Sequence, residues 1–419
     1  MTQTATSIPA QDWAALRPPS VSPFKAALAK AFVRRAATHC GVLLQFGDGT
    51  WSGDPLGPVM QIDDYEALVA RLAMYGEIGL GEAYMAGEWS SPDLVGLLKA
   101  IVRNIWTVVP RPVASLRRFT QRPNPDHQDN DLGGARRNIS RHYDLSNDLF
   151  AQFLDETMTY SSALFEDPGD SLAVAQRRKI DRLLDGVGVG PGSRLLEIGT
   201  GWGELAFRAA HRGARVTTIT LSEQQAALAR RRIAAAGLEH QVNLLVQDYR
   251  TVDGSFDAIV SVEMIEAVGR RWWPTYFEVL DQRLAVGGKI GLQAIVMDHD
   301  QMLDASRSWT WTRKYVFPGG VIPSETAIEE NLARHSTLAI VDRHRFGASY
   351  ARTLQQWRLR FAEHGDQVEA LGFGPVFRRM WDYYLAQSEA AFRVGYLDVG
   401  QFILSRTARG AGRTSWPAT

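Results

Sequence analysis

The sequence predicts an α/β protein with a doubly wound, mostly parallel sheet, preceded by a smaller amino-terminal α+β domain. Three observations carry that prediction. The stretch Leu195-Leu-Glu-Ile-Gly-Thr-Gly-Trp-Gly203 runs a short apolar strand into a glycine turn and then into a helical pattern, as the first ligand-cradling unit of an open α/β sheet does. Apolar runs enriched in β-branched residues then alternate with helix-length segments, the pattern of successive βα units. Finally, a chain of 419 residues, 45% of them hydrophobic, can bury a large core and suggests two domains.

Taken in order, residues 1–20 are rich in Ser, Thr, Pro and Ala and read as a poorly ordered lead. Residues 21–120 form the accessory domain: a helix through Phe32, a strand near Val42 to Phe46, a helix from Asp64 to Tyr75 with apolar residues at helical spacing, and a turn-helix-turn from Gly79 to Trp89. Between Leu94 and Pro125 stand Lys99, Arg103, Arg111, Arg117, Arg118 and Arg122 with no acidic residue, interspersed with Ile101, Ile105, Trp106, Val108 and Val109. Such a basic, tryptophan-bearing amphipathic stretch suits an anionic membrane surface, and a solvated helix face suits it equally. Residues 121–137, with Pro123, Pro125, Gly133 and Gly134, read as a linker.

Residues 138–407 make the large domain and 408–419 a frayed tail. After the first strand, Ala214 to Ser222 reads as a second strand, a helix follows from Glu223 to Ala236, and Val242 to Val246, Phe256 to Glu263 and Gly287 to Met297 supply three more strands. Ser349 to Leu371 reads as one long helix, Phe373 to Val394 continues helically, and Val399 to Leu404 closes the sheet.

The cradle narrows the ligand. Glycines at 199, 201 and 203 allow a close approach that a β-carbon would obstruct. A dinucleotide fingerprint needs a further glycine at 204, where the chain has Glu204. The GxGxG spacing, with Glu197 two residues ahead, fits S-adenosylmethionine, which has a sulfonium and a carboxylate but no pyrophosphate. Thr220 and Ser222 reach the ligand edge from the second strand. Asp248 can accept from an adenine amino group, and Tyr249 can flank the ring.

Composition excludes several classes. Zero formal charge gives no global field for nucleic acid. One cysteine, Cys40, leaves no internal disulfide framework and no cysteine-built zinc site, so no metal is expected, and Cys40 itself reads as a buried small apolar residue. The amino terminus lacks a signal-peptide pattern, and no apolar run approaches the roughly 18 residues of a membrane span. The expected location is cytoplasmic, with peripheral contact to the inner face of the cell membrane.

Seven blocks then appear in order: HYDLSNDLF from His142, MTYSSALF from Met158, LLEIGTGWG, ITLSEQQ, QDYR, KYVFPGGVIPS and YYLAQSEAAFR. Together with GLGEAYMAGEW in the accessory domain, they resemble the cyclopropane fatty acid synthases and their mycolic acid methyltransferase relatives. The resemblance implies a Rossmann-like S-adenosylmethionine-dependent methyltransferase acting on a cis double bond in a phospholipid acyl chain. Carried over block by block, the cosubstrate contacts are Tyr160, Ser161, Glu197, Gly199, Gly201, Thr220, Gln225, Asp248 and Tyr249.

In those synthases the base is thought to be a bound bicarbonate, and here the sequence departs from the pattern. Ser162 stands where the family has cysteine, Gln293 where it has histidine, and Ser388 replaces the cysteine of the YYL block. Glu266 and Tyr315 are retained. Bicarbonate is therefore doubtful, and the catalytic set is read as Glu266, Tyr315, Gln293 and Ser162, with Glu266 as base or cation stabiliser. An altered base favours a 1,2-hydride shift and a 10-methylene branched product. This resembles the actinobacterial methyltransferases of the tuberculostearic acid pathway, and the resemblance implies a separate flavin- or nicotinamide-dependent reductase that saturates the product. Alternatives are a cyclopropane ring on the same substrate, a non-catalytic lipid-binding homologue, or a small-molecule methyltransferase. Relatives with the extra domain also make a homodimer an expectation.

Overall fold

The computed structural model describes residues 16–108, 129–131, 133–135, 137–138 and 146–406. The basic residues Arg111, Arg117, Arg118 and Arg122, most of the 121–137 linker, the His142-Tyr143-Asp144 opening of the first block and the 408–419 tail lie outside the described residues.

The amino-terminal part opens with the helix Pro23–Cys40, which is capped by Ser22 and stopped by Gly41 at φ 64°. It therefore runs a further two turns beyond Phe32. Ala29, Val33, Ala37 and Cys40 form its buried face. Strands β1 (Leu43–Phe46), β2 (Trp51–Gly53), β3 (Val59–Ile62) and β4 (Trp89–Ser90) make a sheet of order β2-β1-β3-β4. The helices Tyr65–Tyr75, capped by Asp64, and Glu77–Ala86 lie between β3 and β4. The helix Leu94–Val108 follows, with Leu94, Val95, Leu97 and Leu98 buried.

The large sheet has seven strands in the order β10-β11-β9-β8-β5-β6-β7. Strands β5 (Arg194–Ile198), β6 (Arg215–Thr220), β7 (Val242–Val246), β8 (Phe256–Val262) and β9 (Leu284–Met297) pair in parallel. β11 (Leu397–Arg406) runs antiparallel to β9, and β10 (Leu338–Arg345) antiparallel to β11. β10 carries a polar run, Asp342-Arg-His-Arg345, that conceals a strand from any hydrophobic count. It can be polar because it is an edge. The predicted long helix from Ser349 divides in two, Gly347–Glu363 and Gly365–Ala370.

The helix Pro375–Arg393 joins both parts of the chain. One core cluster contains Leu68, Met85, Trp89 and Leu97 from the amino-terminal part and Trp357, Trp381, Tyr383 and Leu385 from the carboxyl-terminal helices. Polar links cross the same boundary. Tyr84 Oη donates to Asp382 at 2.7 Å, and Arg379 donates to the carbonyls of Tyr84 and Trp89. Two further clusters fill the two faces of the large sheet.

Candidate active site

The strands β5, β6 and β8 end at one edge of the sheet, and the cleft opens there, as the switch-point rule for open α/β sheets requires. Gly199, Gly201 and Gly203 all take positive φ, at 101°, 52° and 94°. A β-carbon on Gly199 would lie 2.7 Å from Met264 Cγ, and one on Gly203 would press on Ala229, whereas at Gly201 it would point into open space. The three glycines thus serve different ends: packing against the β8 loop, packing against the helix Glu223–Ala235, and leaving room for a ligand. Trp202 is buried, and its indole N–H donates to Asn147 Oδ1 at 2.7 Å.

Tyr160, Ser161, Glu197, Gly199, Gly201, Thr220, Gln225 and Tyr249 all line the cleft. Thr220 Oγ1 donates to Gln225 Oε1 at 2.9 Å, and Ser222 caps the next helix by accepting from the Gln225 N–H. Asp248 is absent from the lining. Its carboxylate is held by Arg250, with Nε at 2.8 Å and Nη2 at 2.7 Å, and it also caps the turn at Arg250 N. The adenine-amino role expected of Asp248 thus competes with a preformed ion pair.

Glu197 is wholly buried at the cleft wall, with Thr218 Oγ1 2.6 Å from its Oε2. Loss of hydration pushes its pKa up to about 8. A carboxyl with its pKa at about 8 ionises at neutral pH only beside positive charge, which a ligand bearing a sulfonium and an ammonium brings. The residues present therefore fit S-adenosylmethionine, with Gly201 leaving the approach and Glu197 the complementary charge.

The segment 158–163 forms the opposite wall. Gln176 Nε2 donates to the carbonyls of Thr159 and Ser161, and the Lys179 ammonium donates to Ser161 Oγ at 2.6 Å and to the Ser162 carbonyl at 3.1 Å. Both come from the helix Leu172–Gly186. Lys179 is fully buried, and that burial lowers its pKa to about 8. The Tyr160 and Tyr384 hydroxyls share a hydrogen bond at 2.8 Å, and the Tyr160 ring lies 5.1 Å from that of Trp357. Aromatic rings thus back this wall.

A hydrogen bond joins two of the four residues read as catalytic, Gln293 Nε2 to the Ser162 carbonyl at 3.4 Å, and Glu266 and Tyr315 bond to other partners. Gln293, in the middle of β9, points its amide at Glu263, with Nε2 2.8 Å from Oε1, while its own Oε1 accepts from Gln401 Nε2 at 3.0 Å. The Ser162 N–H donates to the same Glu263 oxygen at 2.9 Å, and its hydroxyl turns back to the Ala163 carbonyl. Glu266 sits one turn further, in the short helix Ile265–Val268, and its Oε1 accepts from the Ile295 N–H at 2.5 Å. Burial, reinforced by the Glu263 charge, pushes Glu266 up to about 8, so it holds its proton at neutral pH. The Tyr315 hydroxyl donates to Glu82 of the amino-terminal part at 2.9 Å. The structure thus gives Tyr315 a role in joining the two parts of the chain, where the sequence had placed it in support of Glu266.

Three residues of this site escaped the sequence reading: Glu263, Lys179 and Tyr350. Glu263 Oε2 accepts from the Tyr350 hydroxyl at 2.8 Å. A signal was present in Ser261-Val-Glu-Met-Ile-Glu266, where a strand ends in two glutamates three residues apart.

Comparison with known proteins agrees with this geometry. Residues 131–402 match the family model described as mycolic acid cyclopropane synthetase. The chain is 51% identical over 390 residues to the tuberculostearic acid methyltransferase UfaA1 of Mycobacterium tuberculosis, covering 91% of each chain. It is 35% identical over 349 residues to the cyclopropane-fatty-acyl-phospholipid synthase of Escherichia coli, covering 80% of this chain and 85% of the relative. Among solved structures, the cyclopropane synthase MmaA2 from Mycobacterium tuberculosis superposes with a TM-score of 0.60 at 33% identity, covering 64% of this chain and 97% of that one. The mycolic acid cyclopropane synthase CmaA1, solved with SAH and CTAB, gives 0.60 at 29% identity over 67% and 98%.

Proposed function

Because this chain belongs to the mycolic acid cyclopropane synthetase family, we propose that it methylates the cis double bond of an oleoyl-like phospholipid acyl chain and releases a 10-methylene branched chain. The enzyme is an S-adenosylmethionine-dependent methyltransferase acting on lipid acyl chains. When bound, S-adenosylmethionine supplies an electrophilic sulfonium methyl. An alkene is a weak nucleophile, so the protein's contribution is to hold it against that carbon in a dry, aromatic-walled space.

The observation that carries this reading is the composition of the cleft. The glycine cradle with Glu197 forms one wall, and the opposite wall is Tyr160, backed by Phe150 and Trp357 at ring distances of 5.2 and 5.1 Å. Ring faces and a buried carboxylate are what a transient carbocation needs nearby. Support for the branched product over the ring comes from the relative named for tuberculostearic acid, which is 51% identical against 35% for the ring-forming one. Purified protein incubated with S-adenosylmethionine and dioleoyl phospholipid vesicles should yield a chain 14 mass units heavier bearing a terminal-methylene olefinic proton signal. High-field cyclopropane protons in its place would assign the ring-forming reaction instead.

The substrate's location calls for contact with a lipid surface. Among the described residues no helix is long and apolar enough to cross a membrane. The helix Leu94–Val108 spends Leu94, Val95, Leu97 and Leu98 on the core. The helix Pro23–Cys40 presents Phe24, Leu28 and Phe32, spaced by one helical turn and 78%, 64% and 44% exposed. It bears Lys25, Lys30, Arg34 and Arg35 and no acidic residue. An apolar stripe edged by cations is complementary to an anionic phospholipid surface. Replacing Phe24, Leu28 and Phe32 together by Ser should lower co-sedimentation with anionic vesicles at least about tenfold while leaving S-adenosylmethionine affinity unaltered. Full retention on vesicles would remove this helix from the lipid contact.

A further inference from the structure

Among the described residues only two that are not glycine adopt positive φ, Met158 at 54° and Glu263 at 51°, and both line the cleft. That conformation costs a residue with a β-carbon on the order of 1 kcal/mol or more, and glycine nothing. A strained residue persists where its side chain is needed. The Glu263 side chain ends in a half-buried carboxylate at the cleft wall that gathers donors from three separate elements. These are the Ser162 N–H at 2.9 Å, Gln293 Nε2 at 2.8 Å and the Tyr350 hydroxyl at 2.8 Å. Ser162 and Gln293 are two of the three positions where the sequence departs from the bicarbonate-holding pattern; Gln293 turns its side-chain amide toward this carboxylate and Ser162 its main-chain N–H. The space in which those donors could hold a small anion is filled by a carboxylate of the chain itself.

We propose that Glu263 is the catalytic base of this enzyme, an internal carboxylate that makes bound bicarbonate unnecessary. The proposal rests on the methyl-transfer reading above and deepens it. In the balanced reaction, the alkene π pair forms a bond to the sulfonium methyl carbon while the carbon–sulfur bond breaks and leaves its pair on sulfur. The neighbouring carbon becomes cationic. A hydride then migrates from the methylated carbon to that neighbour, placing the charge on the branched carbon. A methyl C–H bond breaks, its pair becomes the exocyclic double bond, and the proton passes to the Glu263 carboxylate and then to water on product release.

Glu266 is the competing base, and its surroundings argue against it. It accepts one backbone N–H, and its second oxygen meets no donor among the described residues. Two carboxyls this close do not both ionise readily, and the negative charge settles on the one with more donors. That one is Glu263: burial raises its pKa too, but the Lys179 ammonium and its three donors oppose that rise, whereas Glu266, with one donor and the Glu263 charge beside it, is pushed up to about 8.

The test compares wild type, Glu263→Gln and Glu263→Gly in buffer freed of carbon dioxide, with S-adenosylmethionine and dioleoyl phospholipid vesicles. Wild-type turnover should be the same with and without added bicarbonate. Glu263→Gln should fall at least about a hundredfold while calorimetric affinity for S-adenosylmethionine stays within about threefold. Glu263→Gly relieves the positive φ and should melt no lower than wild type. It should also bind bicarbonate in a calorimeter, as wild type does not, and recover turnover when bicarbonate is added. A purely structural glutamate would show no such rescue. Wild-type dependence on bicarbonate, full activity of Glu263→Gln, or failure of Glu263→Gly to bind bicarbonate would each overturn the assignment. Absence of any alkylated product from wild type would instead overturn the methyl-transfer reading itself.

Discussion

Gly201→Val should abolish S-adenosylmethionine binding, with an affinity loss of more than about a hundredfold measured by calorimetry, and turnover should disappear with it. The expectation rests on what surrounds each glycine of the cradle. At Gly199 and Gly203 a new β-carbon would meet protein, so substitution there mixes folding with binding. At Gly201 it meets nothing within 4 Å, because that direction is the cleft. Two methyl groups placed there occupy cosubstrate space and leave the packing alone. The backbone penalty at φ 52° is about 1–2 kcal/mol, too small to unfold a chain with a core of this size. Unchanged affinity in a folded Gly201→Val protein would mean that the cosubstrate does not lie over the glycine bend.

Arg71→Met should give the largest loss of stability, about 3–5 kcal/mol in denaturant titration followed by tryptophan fluorescence. Arg71 is fully buried on the helix Tyr65–Tyr75 and donates through Nε to both oxygens of Glu88, at 2.8 and 2.9 Å. It also pairs with the equally buried Glu82 at 3.7 Å and donates to the Leu16 carbonyl. Methionine matches its length, so little space opens. What changes is that two buried carboxylates lose their shared cation. Lys314 still pairs with Glu82 from the carboxyl-terminal side, but among the described residues Glu88 keeps no cation. Adding Glu88→Gln to Arg71→Met should restore part of the loss, because the second change removes the orphaned charge. Wild-type stability in the single variant would show that the network carries no net energy.

Much of the fold could be read from the chain because its signals are local. The cradle, the parallel strands from β5 to β9 and the capped helices all carry their patterns within about ten residues. β10 could not be read this way. It is a strand because β11 offers it an edge, and its own Asp342-Arg-His-Arg345 argues for a loop. The site divides along the same line. Residues within motif blocks, such as Tyr160, Thr220 and Gln225, were found and lie together at the cleft. Glu263 is recognisable only once a positive φ and donors 101, 30 and 87 residues away in sequence have been brought to it. Tyr315 carried a motif signature, yet its partner Glu82 lies 233 residues away, on an element that the spacing of the block does not mention.

The seam between the two parts of the chain sets a limit on how the protein can be divided. A β-carbon on Gly81 would lie 2.4 Å from the Trp311 ring, and Tyr383 packs tilted against Tyr84 and edge-on to Trp89 across the same boundary. Stripped of its first hundred residues, the catalytic half would turn a face of indoles and phenols to water. The leading part is thus less an appendage than the missing half of a hydrophobic joint.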